Sequence, residues 1–411
     1  MNILSVFGWS IRIGGHFKSA LAHMKCLEKM GHHLHVLMPD GESAADVVQE
    51  FINCGVAMHL FHKGPRRGRF PSSRGAGDIV KICKDSKIDL IHAHDFISFP
   101  ASYTAALRMR KGIIFTKPGG PANNLFPPRT VDAILYSEEL LEGMVTQYNL
   151  DPNNIFLIRA RIDTDSYKPE QVTAAFVQKY KLPQAGRKIV MATRLEDNKK
   201  PWIDMMLNFA ERLAEKDEPA HIVIAGEGKL LDELEANSCS MDTKNLIGRI
   251  VHIIGPLYTI RELNQLYNYA DVVVGNGRGI LEAMACGKPV VILGEYDEGE
   301  LVGAENIQDI AYFNFSGRHF RPQARGNSGL TPLLYKLMTD QQLLADAGRF
   351  SLDYIKKYMA AEIGANAVLA VYQRALLKKH SYRDYLQWYL RLIWTFFLAS
   401  SKRRLVSKIP A

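Results

Sequence analysis

The chain has 411 residues, 47% of them apolar and 23% charged; at roughly 100–200 residues per domain this is a two-domain globular protein, not a disordered or collagen-like one. The formal net charge of +8 comes from 51 Lys and Arg against 43 Asp and Glu. Nine of those basic residues and one acid, Asp384, lie from Arg374 onward, leaving 42 of each sign before it, which argues against a chain coated in basic nucleic-acid-binding surface.

Short apolar runs alternate with helical-period segments. Residues 3–7 read as a buried strand, since no basic flank or small-residue cleavage site marks them as a leader. Gly14 and Gly15 follow, then a helix with apolar Phe17, Ala20, Leu21, Met24 and Leu27 on one face, stopped by Gly31. Residues 34–38 are a second strand. Residues 63–77, KGPRRGRFPSSRGAG, are a loop broken by Gly and Pro, its basic side chains either solvated or in contact with an anionic acceptor or membrane surface. Further strands are predicted at 88–93, 113–116, 133–136 and 155–158. After a polar stretch at 169–187 a second series begins, with strands at 188–192, 220–225, 250–254, 272–274 and 290–293 and helices including 230–235 and 260–269. Such alternation predicts an α/β chain with two doubly wound parallel sheets. The expected domains are residues 1–165 and 166–345, followed by helices over 346–380 and a basic aromatic tail over 381–411. No run reaches the ~20 apolar residues of a membrane-spanning helix. The five cysteines have no CxxC or zinc-like spacing and read as reduced thiols of a cytosolic protein.

Ligands of open α/β sheets bind beyond the carboxyl ends of the strands, so the residues there are the candidates. Gly14-Gly15 heads a helix, where backbone amides could meet an anion or merely turn the chain. Arg194 and Lys199 lie five apart around a strand-to-helix turn; they either converge on a diphosphate or are surface charges of a loop. Gly226 ends the next strand in Ala225-Gly226-Glu227-Gly228. Gly275-Asn276-Gly277-Arg278-Gly279 leads into a helix, the arrangement of an anion cradle. Glu282, in that helix's first turn, either complements the dipole or accepts hydrogen bonds from sugar hydroxyls. A nicotinamide-binding GxGxxG is absent.

The segment 274–291, with LEAMACGKPVV, closely resembles the donor site of the retaining glycosyltransferases of family 4. The likeness extends in order through GGHFKSALAHMKCLEKMGHHLHVLMP at 14–39, DLIHAHD at 89–95, Ser137-Glu138, RIDTDSYKP at 161–169, TRLEDNK at 193–199 and AGEGKL at 225–230. It implies the GT-B fold: two Rossmann-like domains facing a cleft, with helices 346–380 bracing back onto the first. It further implies transfer of a hexose or related sugar from a nucleotide diphosphate sugar to a polysaccharide or glycolipid acceptor, with retention of configuration. In that scheme Arg194 and Lys199 neutralise the donor pyrophosphate, Glu282 holds the ribose, and Gly14, Gly15, Gly226, Gly277, Arg278 and Gly279 bind the donor.

Two positions depart from the pattern. The first glutamate of the family's E-x7-E falls on Val274, with Arg278 and the glycine loop as the nearest substitutes. A family histidine falls on Pro118, so His94, Thr116 and Lys117 are the candidates for a sugar or acceptor pocket, His94 either lining it or serving as a buried structural histidine. Val274 keeps open a non-catalytic nucleotide-sugar-binding chain. No metal or other cofactor is expected, the charge on the leaving phosphate being met by side chains. The partners expected are the nucleotide sugar, a glycan or lipid-linked acceptor and, through the tail's Tyr382, Tyr385, Trp388, Tyr389, Leu392 and Trp394 with Arg383, Arg391 and Lys402-Arg403-Arg404, an anionic membrane surface; nucleic acid is not. The terminal helix packing on the body is the alternative for that tail. The expected location is the cytoplasm, peripheral on the inner face of the plasma membrane.

Overall fold

The computed structural model describes residues 1–8, 15–39, 45–62, 72–120, 126–159, 161–216, 218–237, 246–257, 259–294, 298–320 and 329–406, with side chains for all of these except 45–47, 235–237 and 395–406. The chain divides into two compact units, Met1–Arg161 with Ala361–Ala411, and Ile162–Ala360.

The first unit runs β1 (Asn2–Val6), α1 (Gly15–Lys29), β2 (His33–Pro39), α2 (Ala45–Asn53), β3 (Ala57–Phe61), α3 (Ala76–Asp85), β4 (Leu90–Ala93), α4 (Phe99–Met109), β5 (Gly112–Lys117), β6 (Asp132–Leu135), α5 (Glu138–Thr146) and β7 (Ile155–Leu157). Its described strands form one sheet, ordered β3-β2-β1-β4-β5-β6-β7 and parallel throughout. Strands such as β4 and β5 are buried at every position, because helices cover both faces of a doubly wound sheet. The order reverses between β1 and β4.

The second unit runs α6 (Ala174–Lys179), β8 (Arg187–Ala192), α7 (Lys200–Lys216), β9 (Ala220–Ala225), α8 (Lys229–Asn237), β10 (Val251–Ile254), α9 (Ile260–Tyr269), β11 (Val272–Gly275), α10 (Arg278–Ala285), β12 (Val290–Leu293), β13 (Gly299–Leu301), α11 (Ile307–Tyr312), α12 (Leu330–Thr339) and α13 (Gln341–Tyr354). Its sheet order is β10-β9-β8-β11-β12-β13, with β13 antiparallel at the edge. The reversal falls between β8 and β11. Thr259 and Glu262 start α9 with a reciprocal capping box, which is why its predicted bounds and its observed bounds agree.

Two strands escape the sequence reading. β3 is an edge strand whose Leu60 faces solvent, so its pattern is neither alternating nor uniformly apolar. β13 has three residues, too few to carry a periodic signal. The predicted loop at 63–77 lies mostly outside the described residues; within the described part it ends at the left-handed Gly75, and Ala76 and Gly77 already belong to α3.

The last two helices, α14 (Ala361–Leu377) and α15 (Tyr382–Val406), belong to the first unit. α14 packs on α1 and β5. Its Arg374 and the following Lys378 reach the fully buried Asp132 at the start of β6, at 3.2 and 2.6 Å. Asn154 links the same two cations, at 2.6 and 2.7 Å. α15 buries Trp388 and Leu392 in the core beside Phe99, Tyr103 and Phe126, and the Trp388 indole N–H donates to the Phe126 carbonyl at 2.7 Å. Part of the aromatic tail is thus core.

Candidate functional site

Each unit gathers candidate residues at its own switch point. In the second unit, β8 runs into Thr193-Arg194-Leu195, and the next strand into Ala225-Gly226-Glu227-Gly228. The two loops are laced by backbone bonds from Thr193 to Ala225 and from Leu195 to Glu227. A Cβ on Gly226 would lie 1.8 Å from the Thr193 carbonyl oxygen, and one on Gly228 2.4 Å from that of Leu195. Glycine is required there by close backbone approach. Gly226→Ala is expected to destabilise the protein by about 3 kcal/mol, the scale of backbone displacement with strain; chemical denaturation measures this, and an unchanged midpoint would show that the loops part freely.

The laced loops hold Arg194 out to solvent with Lys199 near it. Lys199 sits 3.9 Å over the Trp202 ring, and the Trp202 indole N–H is itself fixed on the Gly294 carbonyl at 2.7 Å. Burial first, and then repulsion by Arg194, hold the Lys199 ammonium down to about 8. Two cations in one place, one paying a desolvation penalty, suit a multiply charged anion.

Across the switch point, β11 ends at Gly275 and α10 begins at Arg278. Gly277, with φ of 71°, adopts the left-handed geometry that turns the chain into the helix. A Cβ on Gly279 would stand 3.6 Å from the Ala192 carbonyl oxygen and 3.2 Å from the Tyr267 hydroxyl, so the helix start lies against the end of β8. The Arg278 guanidinium points to Glu282, with Nε 2.7 Å from Oε1 and side chains only 7% and 0% exposed. The Tyr267 hydroxyl donates to the other oxygen of Glu282 at 3.4 Å. Asn276, which the sequence reading passed over, is the polar side chain of this loop. Its amide donates to the carbonyls of Leu293 and Ser316 at 2.6 and 3.0 Å, leaving Oδ1 buried without a partner among the described residues.

Val274 lies inside β11, paired with Val291 and buried in the core of the unit. Asp163 and Asp165, which have the spacing of a metal-binding pair, shape a turn: Asp163 accepts from the Asp165 and Ser166 amides and the Ser166 hydroxyl.

In the first unit, Gly14 lies outside the described residues and Gly15 opens α1. His94 and Thr116 come together through a third residue, to which no sequence pattern gives a role. His92, on the same face of β4 as His94, stacks on it at 3.9 Å between ring centroids. His92 bonds Thr116 Oγ1 at 2.7 Å through Nε2 and the Tyr372 hydroxyl at 2.8 Å through Nδ1. Tyr372 comes from α14, so no local pattern could have placed it. His94 contacts Ser5 Oγ at 3.1 Å and stacks on Phe7. His16, at the start of α1, lies 6.1 Å from His94, and its ring bonds the His94 backbone. Nε2 of His16 and Nδ1 of His94 are buried without partners among the described residues. Burial pushes the His92 imidazole down to about 3 and that of His94 well below its ordinary value, so both rings are neutral. Asp95 ties the loop together, accepting from the amides of Gly8 and Ser98 at 2.7 and 2.8 Å. Lys117, at the end of β5, is buried, and burial lowers its ammonium to about 8. The first sheet thus ends in neutral imidazoles and hydroxyls with the Lys117 ammonium, and the second in two cations.

Two family models match the chain. One described as Glycosyltransferase Family 4 spans residues 13–166, and one described as Glycosyl transferases group 1 spans residues 186–311. The D-inositol 3-phosphate glycosyltransferase of Corynebacterium aurimucosum is 24% identical over 273 residues, 56% of this chain and 63% of that protein. The match therefore spans less than two thirds of the curated relative's length. Among solved structures, a glycosyltransferase from Rickettsia africae superposes with a TM-score of 0.68 at 16% identity, covering 92% of this chain and 99% of that one. Anabaena HepE in complex with UDP and glucose superposes with a TM-score of 0.63 at 13% identity, covering 89% and 98%. The fold they share with this chain is GT-B, with a parallel and a mostly parallel sheet and a helical C-terminus.

Proposed function

We propose, for a chain that belongs to the family 4 glycosyltransferases, that it moves a hexose or related sugar from a nucleotide diphosphate sugar to a polysaccharide or glycolipid acceptor with retention of configuration. The observation that carries this reading is the cation pair Arg194 and Lys199, held at the end of β8 beside the glycine-headed start of α10. In glycosyl transfer the sugar ring gains positive charge while the leaving phosphate gains negative charge. Preorganised cations and helix-start amides stabilise that phosphate without waiting for solvent to rearrange. In this proposal the two side chains take the place of a divalent ion.

The remaining candidates divide by chemistry. Gly277 and Gly279 let the start of α10 approach the donor. Glu282 turns toward the ribose or anchors Arg278, whose guanidinium it already engages. Asn276 Oδ1 takes the donor-sugar hydroxyl that a carboxylate at position 274 would otherwise hold. His94 and Thr116, with His16 and His92 beside them, supply neutral hydrogen-bonding groups for sugar or acceptor hydroxyls, and the Lys117 ammonium adds a charged donor. A lipid-linked acceptor would place the enzyme on the inner face of the plasma membrane. No helix among the described residues is long and apolar enough to cross a membrane.

Incubation with a panel of UDP- and GDP-sugars tests the reading. The expected result is nucleotide release from one donor, slow with water as acceptor and faster with a glycolipid or polysaccharide fraction. Binding without release would favour the second reading, a nucleotide-sugar-binding chain without turnover, to which the apolar Val274 points. Neither binding nor release would remove both.

A further inference from the structure

α15 has two faces. Trp388 and Leu392, 2% and 0% exposed, face the core of the first unit, with Tyr385 and Tyr389 packed beside them. The Arg391 guanidinium is held over the Phe126 ring at 4.9 Å and donates to the Tyr148 carbonyl at 2.8 Å, fixing the roll of the helix. That roll leaves Tyr382, Leu386, Leu390 and Trp394 in solvent, 63%, 58%, 56% and 65% exposed. They recur every four residues, so they form one stripe along the helix. Scattered exposed apolar residues need no explanation, but four in one line do.

The charge of the segment is mostly basic. Arg383 is exposed within the stripe's first turn, and Lys402-Arg403-Arg404 stands in the same helix beyond it. The single acid of the segment, Asp384, is engaged with the Ser381 hydroxyl and amide at 2.8 and 3.2 Å, capping the start of the helix. Over its described residues the helix is not long and apolar enough to cross a membrane. An aromatic and leucine stripe with basic residues around it matches a helix lying flat in the headgroup region of an anionic leaflet.

We infer that α15 docks the first unit on an anionic lipid bilayer through Tyr382, Leu386, Leu390 and Trp394, while Trp388 and Leu392 anchor the helix to the protein. The inference deepens the peripheral placement proposed above and assigns it to a face of the helix. It needs no turnover, so its failure would leave the transfer reaction standing.

The test is co-sedimentation of the full chain with phosphatidylcholine vesicles, with and without phosphatidylglycerol. The wild type is expected to bind the anionic vesicles, to be released by high salt and to bind neutral vesicles poorly. Leu386→Gln/Leu390→Gln/Trp394→Gln should melt at the wild-type temperature and bind about 30-fold or more weakly, since the apolar area of three side chains no longer leaves water. In the wild type a blue shift of tryptophan emission on binding is expected; Trp394→Phe should keep binding and lose most of that shift. Undiminished binding by the folded triple variant would overturn the inference, as would a wild type that ignores anionic vesicles. Light scattering supplies the remaining outcome: a wild-type dimer that the triple substitution splits would assign the stripe to a second copy of the chain instead.

Discussion

Arg194→Ala is expected to lower kcat/KM for the nucleotide sugar by about 10²-fold or more, about 2.7 kcal/mol of transition-state stabilisation, the scale of losing one preorganised donor at a developing oxyanion. Arg194 is exposed, so the variant should melt like the wild type. The effect should fall mainly on kcat, because the charge on the phosphate grows during the reaction. Lys199 adds a pH signature. Its ammonium, held down to about 8 by burial and by Arg194, is present at neutral pH and lost as the pH rises through that value. Donor use by the wild type should therefore fall on the alkaline side. Removing Arg194 relieves part of the repulsion and should move that limb to higher pH. Near-normal turnover by a folded Arg194→Ala protein would remove the pair from the mechanism.

Glu282→Ala is expected to cost stability as well as activity. Its carboxylate is fully buried and faces a guanidinium that is itself only 7% exposed. Truncating one partner of such a pair leaves the other charge desolvated, which costs about 3–5 kcal/mol. In a unit of about 200 residues that is a fall of about 10 °C in Tm. Arg278→Met/Glu282→Gln, which removes both charges while keeping volume, should recover much of that loss. The double variant then separates the two roles. If it is stable and inactive, the Arg278–Glu282 pair serves the donor; if it is stable and active, the pair serves the fold. A single Glu282→Ala variant with unchanged Tm would show that the pair is not buried in solution.

The architecture was legible because its signals are local and repeated. Apolar runs ended by glycine alternate with 3.6-residue periodicity, and 220–225 and 290–293 read as strands with the bounds they have in the fold. The strand missed at 57–61 lies at an edge with one residue in solvent, where packing supplies no pattern. Candidate residues were legible where backbone geometry demands glycine, as at Gly226 and Gly277. They were illegible where the partner is distant in sequence. His92 meets Tyr372 across 280 positions, and nothing near either residue announces the other. His16 carried no signal because one histidine after two glycines has no periodicity. Asn276 was hidden by the glycines around it. In the tail, composition could report an aromatic, basic helix; the hydrogen bond from Trp388 to Phe126 decides which aromatics are core.

The return of α14 and α15 to the first unit orders the folding of the chain in time. The second unit is one continuous stretch, Ile162–Ala360, and can close its core as soon as it leaves the ribosome. The first unit begins 161 residues earlier and finishes later, because Asp132 meets its cations only at Arg374 and Lys378 and the Phe126 carbonyl meets its donor only at Trp388. Until then a sheet whose described strands are all made must wait without α14 and α15, with apolar surface in water, the condition under which nascent chains aggregate or recruit chaperones. Synthesis of this protein therefore runs first-started, last-finished, and a chain stopped short of Trp388 would release a folded second unit joined to a first unit without its last wall.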